Sequence, residues 1–360
     1  MVESTPIVAF DQHAASVVAA VLLPGQRTPA LHALGADLGT ISRFVERLQL
    51  ADVRCCYEAG PCGFELQRHL HGRGIACDVI APALIPRRAG NRVKTDRRDA
   101  AQLAVLFRAG ALTAIHVPTE AEEAVRDLLR CREDINADLL RAKHRLSKFL
   151  LRHGRRCPDA RPWSKRFFAW LAIQRWPLPA LEQTFVSYRR AIDDVIARRR
   201  GVDEDLRAAL TIEPLASRVA RLRCFRGIDD LSALTIAAEL GDPARFAAAR
   251  QVMAFTGLVP SEYSSGASRR RGGITKTGNA HLRRILVEAA WHYRHRPAVG
   301  SHLRIRQRRA SPAAIRCAWM AQHRLHARYR RLVARGKSPQ LAATAIAREL
   351  SAFVWSALTQ

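Results

Sequence analysis

Lys94-Thr95-Asp96-Arg97-Arg98-Asp99-Ala100, continued by Gln102-Leu103-Ala104, is the stretch from which the fold can be read. Leu103, Leu106 and Phe107 follow the two aspartates at helical spacing, so the segment predicts a helix that opens on acids. Residues three apart lie on one helix face, and the helix N-terminus tolerates their negative charge. Two acids pointing the same way in a basic chain fit a magnesium site that works on phosphate. They also fit an N-cap with an acid at N3, a capping-box-like start, and seven residues alone favour that plainer reading.

The segments before this helix alternate strand and helix. Ile7–Phe10 reads as a buried strand ending at Asp11, and Ala15–Leu23 as a second strand. Leu38, Ile41, Phe44, Val45 and Leu48 recur at helical spacing, and Val53–Tyr57 is a strand with Glu58 just past its end. Gly63–Leu70 reads as helix and Ile75–Ile80 as strand. That alternation indicates an α/β layer, and the strand ends of such sheets are where sites are built. Asp11 and Glu58 both fall there.

Composition narrows the partner. The 360 residues carry 59 basic and 32 acidic side chains, a net charge of +27, placed unevenly. Residues 1–120 hold 13 basic and 11 acidic groups, the remaining 240 hold 46 and 21. Such an excess on one part of a chain points to a polyanion, here nucleic acid. Mean hydropathy of −0.14 argues for an ordered globular protein rather than a disordered one. No run of about 18 apolar residues and no basic leader is seen, so no membrane contact is expected and the expected location is the cytoplasm. The eight cysteines form no Cys-x-x-Cys pair, which leaves out zinc-ribbon spacing and makes free thiols the expectation.

Beyond a connector at Gly110–Pro118, Val125, Leu128, Ile135, Leu139, Ala142, Leu146 and Phe149 trace a long helix with a narrow apolar seam, interrupted by Arg132. Residues 155–179 read as irregular, with Trp163, Trp170 and Trp176 as anchors, and a second long helix is expected over Leu181–Leu210. Leu222–Ala233, with Gly227 in the middle, resembles a helix-hairpin-helix or an ordinary packing joint. Residues 255–284 read as a glycine-, serine- and arginine-rich loop suited to close approach to phosphates. Ser261, Ser264 and Ser265 are its candidate nucleophiles. Arg269, Arg270, Arg271, Lys276, Arg283 and Arg284 are candidate nucleic-acid contacts. The last 110 residues carry 20 basic and 3 acidic groups, including Arg304, Arg306, Arg308, Arg309 and the Arg324–Arg335 run, among Trp319, Tyr329 and Trp355. That is a nucleic-acid surface by composition, and no P-loop accompanies it.

Asp11, Glu58, Asp96 and Asp99 together resemble the DEDD site of ribonuclease-H-like Holliday-junction resolvases. The whole chain resembles more closely the DEDD-motif transposases of the insertion sequence 110 family, RNA-guided serine recombinases. The resemblance is carried by Glu58-Ala59-Gly60 with Gly63, Lys94–Ala100, Gly257-Leu258-Val259-Pro260, Ser265-Gly266, Ile274–Asn279 and Leu282-Arg283-Arg284, in order over nearly the full length. It implies an α/β ribonuclease-H-like (RuvC-like) N-terminal domain over 1–117 and a long helical, coiled-coil connector over 118–205. A basic, mostly α C-terminal domain over 206–360, with the helix-hairpin-helix-like element, would carry the serine. It implies that the four acids bind Mg2+ and that a serine forms a covalent link to DNA. By its place before Gly266 that serine is Ser265, with Ser264 next and Ser261 a distant third. It also implies an element-encoded guide (bridge) RNA, a homo-oligomer with shared active sites, and DNA ends and target as substrates. One departure is that Gln12-His13-Ala14 follow Asp11 where family members often have a lysine. The alternative from the residues is a metal-dependent, Holliday-junction-type DNA endonuclease using water as nucleophile. A non-catalytic nucleic-acid scaffold is a third reading.

Overall fold

The computed structural model describes residues 5–86, 95–265, 268–308 and 310–360. Lys94, Gly266, Arg309 and the side chain of Arg269 therefore lie outside the described residues. The chain forms two compact units, residues 1–118 and 119–360.

In the first unit a hairpin, β1 (Ile7–Gln12) and β2 (Ser16–Leu22), is extended by β3 (Ala30–Gly35). Then come α1 (Leu38–Arg47), β4 (Arg54–Glu58), α2 (Glu65–His71), β5 (Ala76–Ile80) and α3 (Asp96–Arg108). The five strands lie in the order β3-β2-β1-β4-β5, with β1–β2 and β2–β3 antiparallel and β1–β4 and β4–β5 parallel. This is the ribonuclease-H-like α/β arrangement expected.

Strand alternation sorts the side chains between two layers. Val8, Phe10, Cys55, Tyr57 and Val79 pack with Ile41 and Val45 of α1 and Leu66 and Leu70 of α2. Ile7, Ala9, Cys56 and Ile80 pack with Ala100, Leu103 and Ala104 of α3 on the other face. A strand buried on both faces loses its polar alternation, which is why Ile7–Phe10 is continuously apolar. Strand β3 escapes the sequence reading because most of Ala30–Gly35 is exposed and its pattern is mixed.

The second unit opens on α4 (Glu120–Arg152), started by a capping box between Thr119 and Glu122. It continues through α5 (Lys165–Ala172) and α6 (Pro179–Ala209). Val125 and Leu129 of α4 share a core with Leu206 and Ala209 of α6, while Leu139–Leu150 share one with Phe185 and Ile192. The two long helices therefore run antiparallel. Arg132, the break in the seam, donates through Nε to Asp203 Oδ1 on α6 at 2.5 Å. Residues 155–179 are less irregular than expected, since α5 forms there, packing Phe167 and Leu171 against α4 and α6. Trp176 packs against Phe149 with ring planes tilted by 53° and centroids 4.7 Å apart, as an anchor should.

The rest is largely helical: α7 (Leu215–Leu222), α8 (Asp230–Leu240), α9 (Ala249–Phe255), α10 (Ala280–Ala290), α11 (Ser301–Gln307), α12 (Pro312–Ala334) and α13 (Pro339–Thr359). The α7–α8 joint is capped by Asp229, and Gly227 sits in it close against Ala289 O of α10, so it works as a packing joint. Helix α13 is long and apolar enough by mean hydropathy to cross a membrane, although Arg348 and Glu349 interrupt its apolar run. Its Ile346, Leu350, Val354 and Leu358 are buried in the core with α9, α10 and α12.

The largest departure is at 260–274. Instead of a loop, Pro260–Ser265 (β6) and Ser268–Ile274 (β7) form an antiparallel hairpin. Its composition hides it because both strands are exposed and no core selects their residues.

Candidate active site

Parity on the sheet places the first two acids. Asp11 follows Ile7 and Ala9 at steps of two, and Glu58 follows Cys56, so both belong to the α3 face. Parallel pairing of Ala9 with Cys56 and Phe10 with Tyr57 makes Asp11 and Glu58 the next pair along. The start of α3 supplies the other two acids. Thr95, not Asp96, is the N-cap, its hydroxyl accepting from Arg98 N at 3.4 Å. Asp96 is thus the first helical residue and N3 is Arg98, so the capping box read in the sequence does not form. Cap duty falls to a neutral side chain and both carboxylates stand in the first turn.

These elements converge. Oxygen atoms of Asp11 and Asp96 and a ring nitrogen of His13 all lie within 4.8 Å of one another. His13 Nε2 is 3.7 Å from Asp11 Oδ1 and 3.5 Å from Asp96 Oδ1. The turn that closes β1 on β2, with His13 N donating to Ser16 O at 2.9 Å, holds the imidazole on Asp11's side. Partial burial pushes the Asp11 carboxyl above its ordinary value; His13 opposes this, and Asp96, Asp99 and Glu58 each push it further up. All four acids are therefore near enough to repel at Asp11, and a hard cation relieves that repulsion. Asp11, Asp96 and His13 are a donor set that fits a divalent metal, while Glu58 and Asp99 reach Asp11 through their charge and are not part of that cluster. His13 was not among the sequence candidates: it lies just past the end of β1, in the turn to β2.

Of the serines, Ser261 Oγ donates to Gly273 O at 3.2 Å and Ser264 Oγ to Glu262 Oε1 at 2.9 Å. Ser265 pairs with Ser268 at the last described register of the hairpin and is exposed, with no hydrogen bond from its hydroxyl among the described residues. Arg271 lies opposite Glu262, with Nε 3.4 Å from Oε2, and Arg270 and Lys276 are exposed. Arg283 donates to Thr256 O at 3.0 Å, and Arg284 pairs with Glu133 and Glu288. Glu262, missed in the sequence, becomes visible once the segment is a strand, two residues from Ser264.

The hairpin base is fixed by backbone. Lys276 N donates to Gly257 O and Asn279 N to Phe255 O. A Cβ at Gly257 would stand 2.2 Å from Thr277 O, and one at Gly278 2.2 Å from Phe255 O. Asn279 caps α10 through Leu282 N and donates from Nδ2 to Glu239 Oε2 at 2.6 Å, a carboxylate buried in α8. All eight cysteines are free; burial pushes the Cys55 thiol up to about 12, far from a nucleophile's range.

Comparison with known proteins gives a consistent result. Residues 8–154 match the DEDD transposase family of insertion sequence IS110, described as "Transposase", and residues 219–330 match "Transposase IS116/IS110/IS902 family". A putative transposase of Sinorhizobium fredii is 44% identical over 301 residues, 84% of this chain and 74% of the relative. The transposase for insertion sequence element IS1533 of Leptospira borgpetersenii is 34% identical over 298 residues, 81% of this chain and 86% of the relative.

Proposed function

This chain belongs to the IS110/IS116/IS902 family of insertion-sequence transposases, and from that premise we propose that it is a serine recombinase with a magnesium-assisted DEDD site. The family makes it a DNA transposase, so it binds DNA, and its DEDD domain implies a divalent metal. The observation that carries the reading is the convergence of Asp11, Asp96 and His13, with Glu58 and Asp99 within electrostatic reach.

Asp11, Glu58, Asp96 and Asp99 are the residues that would hold Mg2+, which when bound supplies polarisation of the scissile phosphate and of the departing oxygen. Ser265 is the nucleophile: its Oγ bonds to phosphorus as the phosphorus–oxygen bond to the leaving strand breaks. The hydroxyl proton passes to a base and the departing oxygen takes one up. One phosphoester replaces another, so rejoining by the reverse attack needs no ATP. Arg269, Arg270, Arg271 and Lys276 of the hairpin attract and orient the backbone. An element-encoded guide RNA supplies sequence choice, and a homo-oligomer brings the units of different protomers together. Support for the RNA is the family likeness and the +25 charge of residues 121–360, and support for the oligomer is the family likeness alone.

A water-based, structure-specific endonuclease is the second reading, favoured by the proximity of His13, a candidate base, to the acids. Incubation of the protein and its RNA with DNA, followed by denaturation, separates the two. A strand that stays covalently attached to protein, and is lost in Ser265→Ala but kept in Ser264→Ala, supports the serine reading. Cleavage with no adduct, unchanged by Ser265→Ala, defeats it. Sequencing RNA that co-purifies with the protein tests guidance: one abundant RNA encoded beside the gene is the expected result.

A further inference from the structure

We propose that the outer face of α12 is a docking surface for an unpaired strand of DNA, with Trp319 as the platform for a base. Helix α12 has one exposed face, on which Arg316, Trp319, Met320, His323, Arg330 and Arg331 recur at helical spacing. At 1.5 Å per residue, Arg316 and Arg330 stand about 21 Å apart along the helix, a span of several nucleotides.

Two independent features set this face apart from a solvated charged helix. The first is the absence of counter-charge. Over residues 289–360 the sequence has a single acidic side chain, Glu349. It lies under Arg324 and Arg328, with oxygens 3.5 and 2.8 Å from their nitrogens, and its side chain is 13% exposed. Arg316, Arg330 and Arg331 make no ion pair among the described residues. The helices packed on α12, α7 and α13, add no other acid. An exposed run of uncompensated guanidinium groups attracts a phosphate backbone.

The second feature is apolar surface in the middle of those cations. Trp319 is 41% exposed and Met320 57%. His323 packs edge-on against Trp319, with ring centroids 4.5 Å apart, which steadies the indole while leaving much of it open. A duplex keeps its bases stacked and offers an indole no aromatic face, whereas an unpaired base offers one. Cations flanking an open aromatic ring are the arrangement that fits a single strand. A transposase that opens and exchanges strands produces such a segment. The inference holds whichever serine is the nucleophile.

The test is a fluorescence-anisotropy titration of the full-length protein with a labelled single-stranded DNA of about 20 nucleotides. The same sequence as duplex DNA and as single-stranded RNA forms the comparison. Trp319→Ala is expected to weaken single-stranded DNA about tenfold, the loss of one stacked base, with Trp319→Phe recovering most of it and duplex DNA changed less than about twofold. The combined Arg316→Gln, Arg330→Gln and Arg331→Gln variant is expected to lower the slope of log affinity against log salt by about 2. A control with Arg190→Gln, Arg198→Gln and Arg200→Gln, exposed on α6, removes the same charge elsewhere. Equal loss in the control and the α12 variant overturns the proposal. So does a Trp319→Ala effect confined to RNA, or equal for duplex and single strand. A change in oligomeric state with unaltered DNA affinity assigns the face to a second copy of the chain and likewise overturns it.

Discussion

Asp11 and Glu58 stand at the carboxyl ends of neighbouring parallel strands, one register step beyond the Phe10–Tyr57 pair and on the face covered by α3. The acids sit 47 positions apart in the chain, yet the pairing of β1 with β4 makes them neighbours. Their proximity follows from strand order and parity alone, before any side-chain contact is considered.

A first prediction concerns the repulsion at Asp11. Its raised carboxyl pKa means that, without metal, folding disfavours the charged form. Stability held below the ordinary carboxylate range is therefore lost as pH rises through the raised value. Asp11→Asn should lift the melting temperature of the metal-free protein at neutral pH by about 1–3 °C. It should also abolish the further stabilisation that added Mg2+ gives the wild type. Thermal melts with and without Mg2+ across pH 4–8 check both signs, and a variant that melts lower yet keeps its Mg2+ response contradicts the site.

Glu122 predicts the opposite dependence. Burial would raise its carboxyl pKa, but the Arg218 guanidinium at 2.8 Å and the Thr119 backbone N–H outweigh that and hold it low. Stability from this group is present above the usual glutamate value and is lost as pH falls through the depressed one. Glu122→Gln should flatten the acid limb of the stability profile, and Glu122→Ala, which leaves Arg218 half-buried without its partner, should cost about 3 kcal/mol at pH 7. Urea titrations at several pH values read both.

The hairpin base gives a steric prediction. Gly257 and Gly278 hold positive φ angles of 64° and 94° and lie too close to facing carbonyls for any side chain. Alanine at either should cost about 2–4 kcal/mol, through overpacking and backbone strain together. Gly273→Ala, with nothing within 4 Å of the added carbon, should stay within about 0.5 kcal/mol. Chemical denaturation of the three variants separates them.

Glu239 is the buried partner of Asn279, with Arg130 Nη2 a further 3.4 Å contact. Glu239→Ala strands the Asn279 amide and should cost about 3–5 kcal/mol. Glu239→Gln keeps an acceptor and should cost less than half of that. Equal losses would show that the negative charge facing Arg130, rather than volume or an acceptor for Asn279, matters at this position.

Much of this was legible in the residues. Strands β1 and β4 declared themselves because burial on both faces demands continuous apolar runs, and α3 because its acids precede a helical apolar period. Asp11, Glu58, Asp96 and Asp99 could be singled out as candidates because they fall at strand ends and a helix start. What stayed hidden had no core to write its pattern. Ala30–Gly35 and the Pro260–Ile274 hairpin are exposed strands defined by pairing with a neighbour, and pairing leaves little mark on composition. His13 was hidden because a turn, rather than a motif, carries it to Asp11. The partners of Arg283 and Arg284 were hidden because charge in a sequence does not reveal the carbonyl or carboxylate beside it.

The cap at Thr95 has a wider consequence. A helix start accepts one side-chain oxygen for its first free amides, and a hydroxyl fills that vacancy here. If Thr95 were alanine, the loss of about 1 kcal/mol would be the smaller effect. Asp96 is the adjacent acceptor, and by taking up the amide it would rotate out of the acidic cluster while the helix began one residue later. The identity of one uncharged side chain thus decides whether an aspartate serves the helix or the site. Selection for activity would then be felt at a position whose hydroxyl is spent on the helix start.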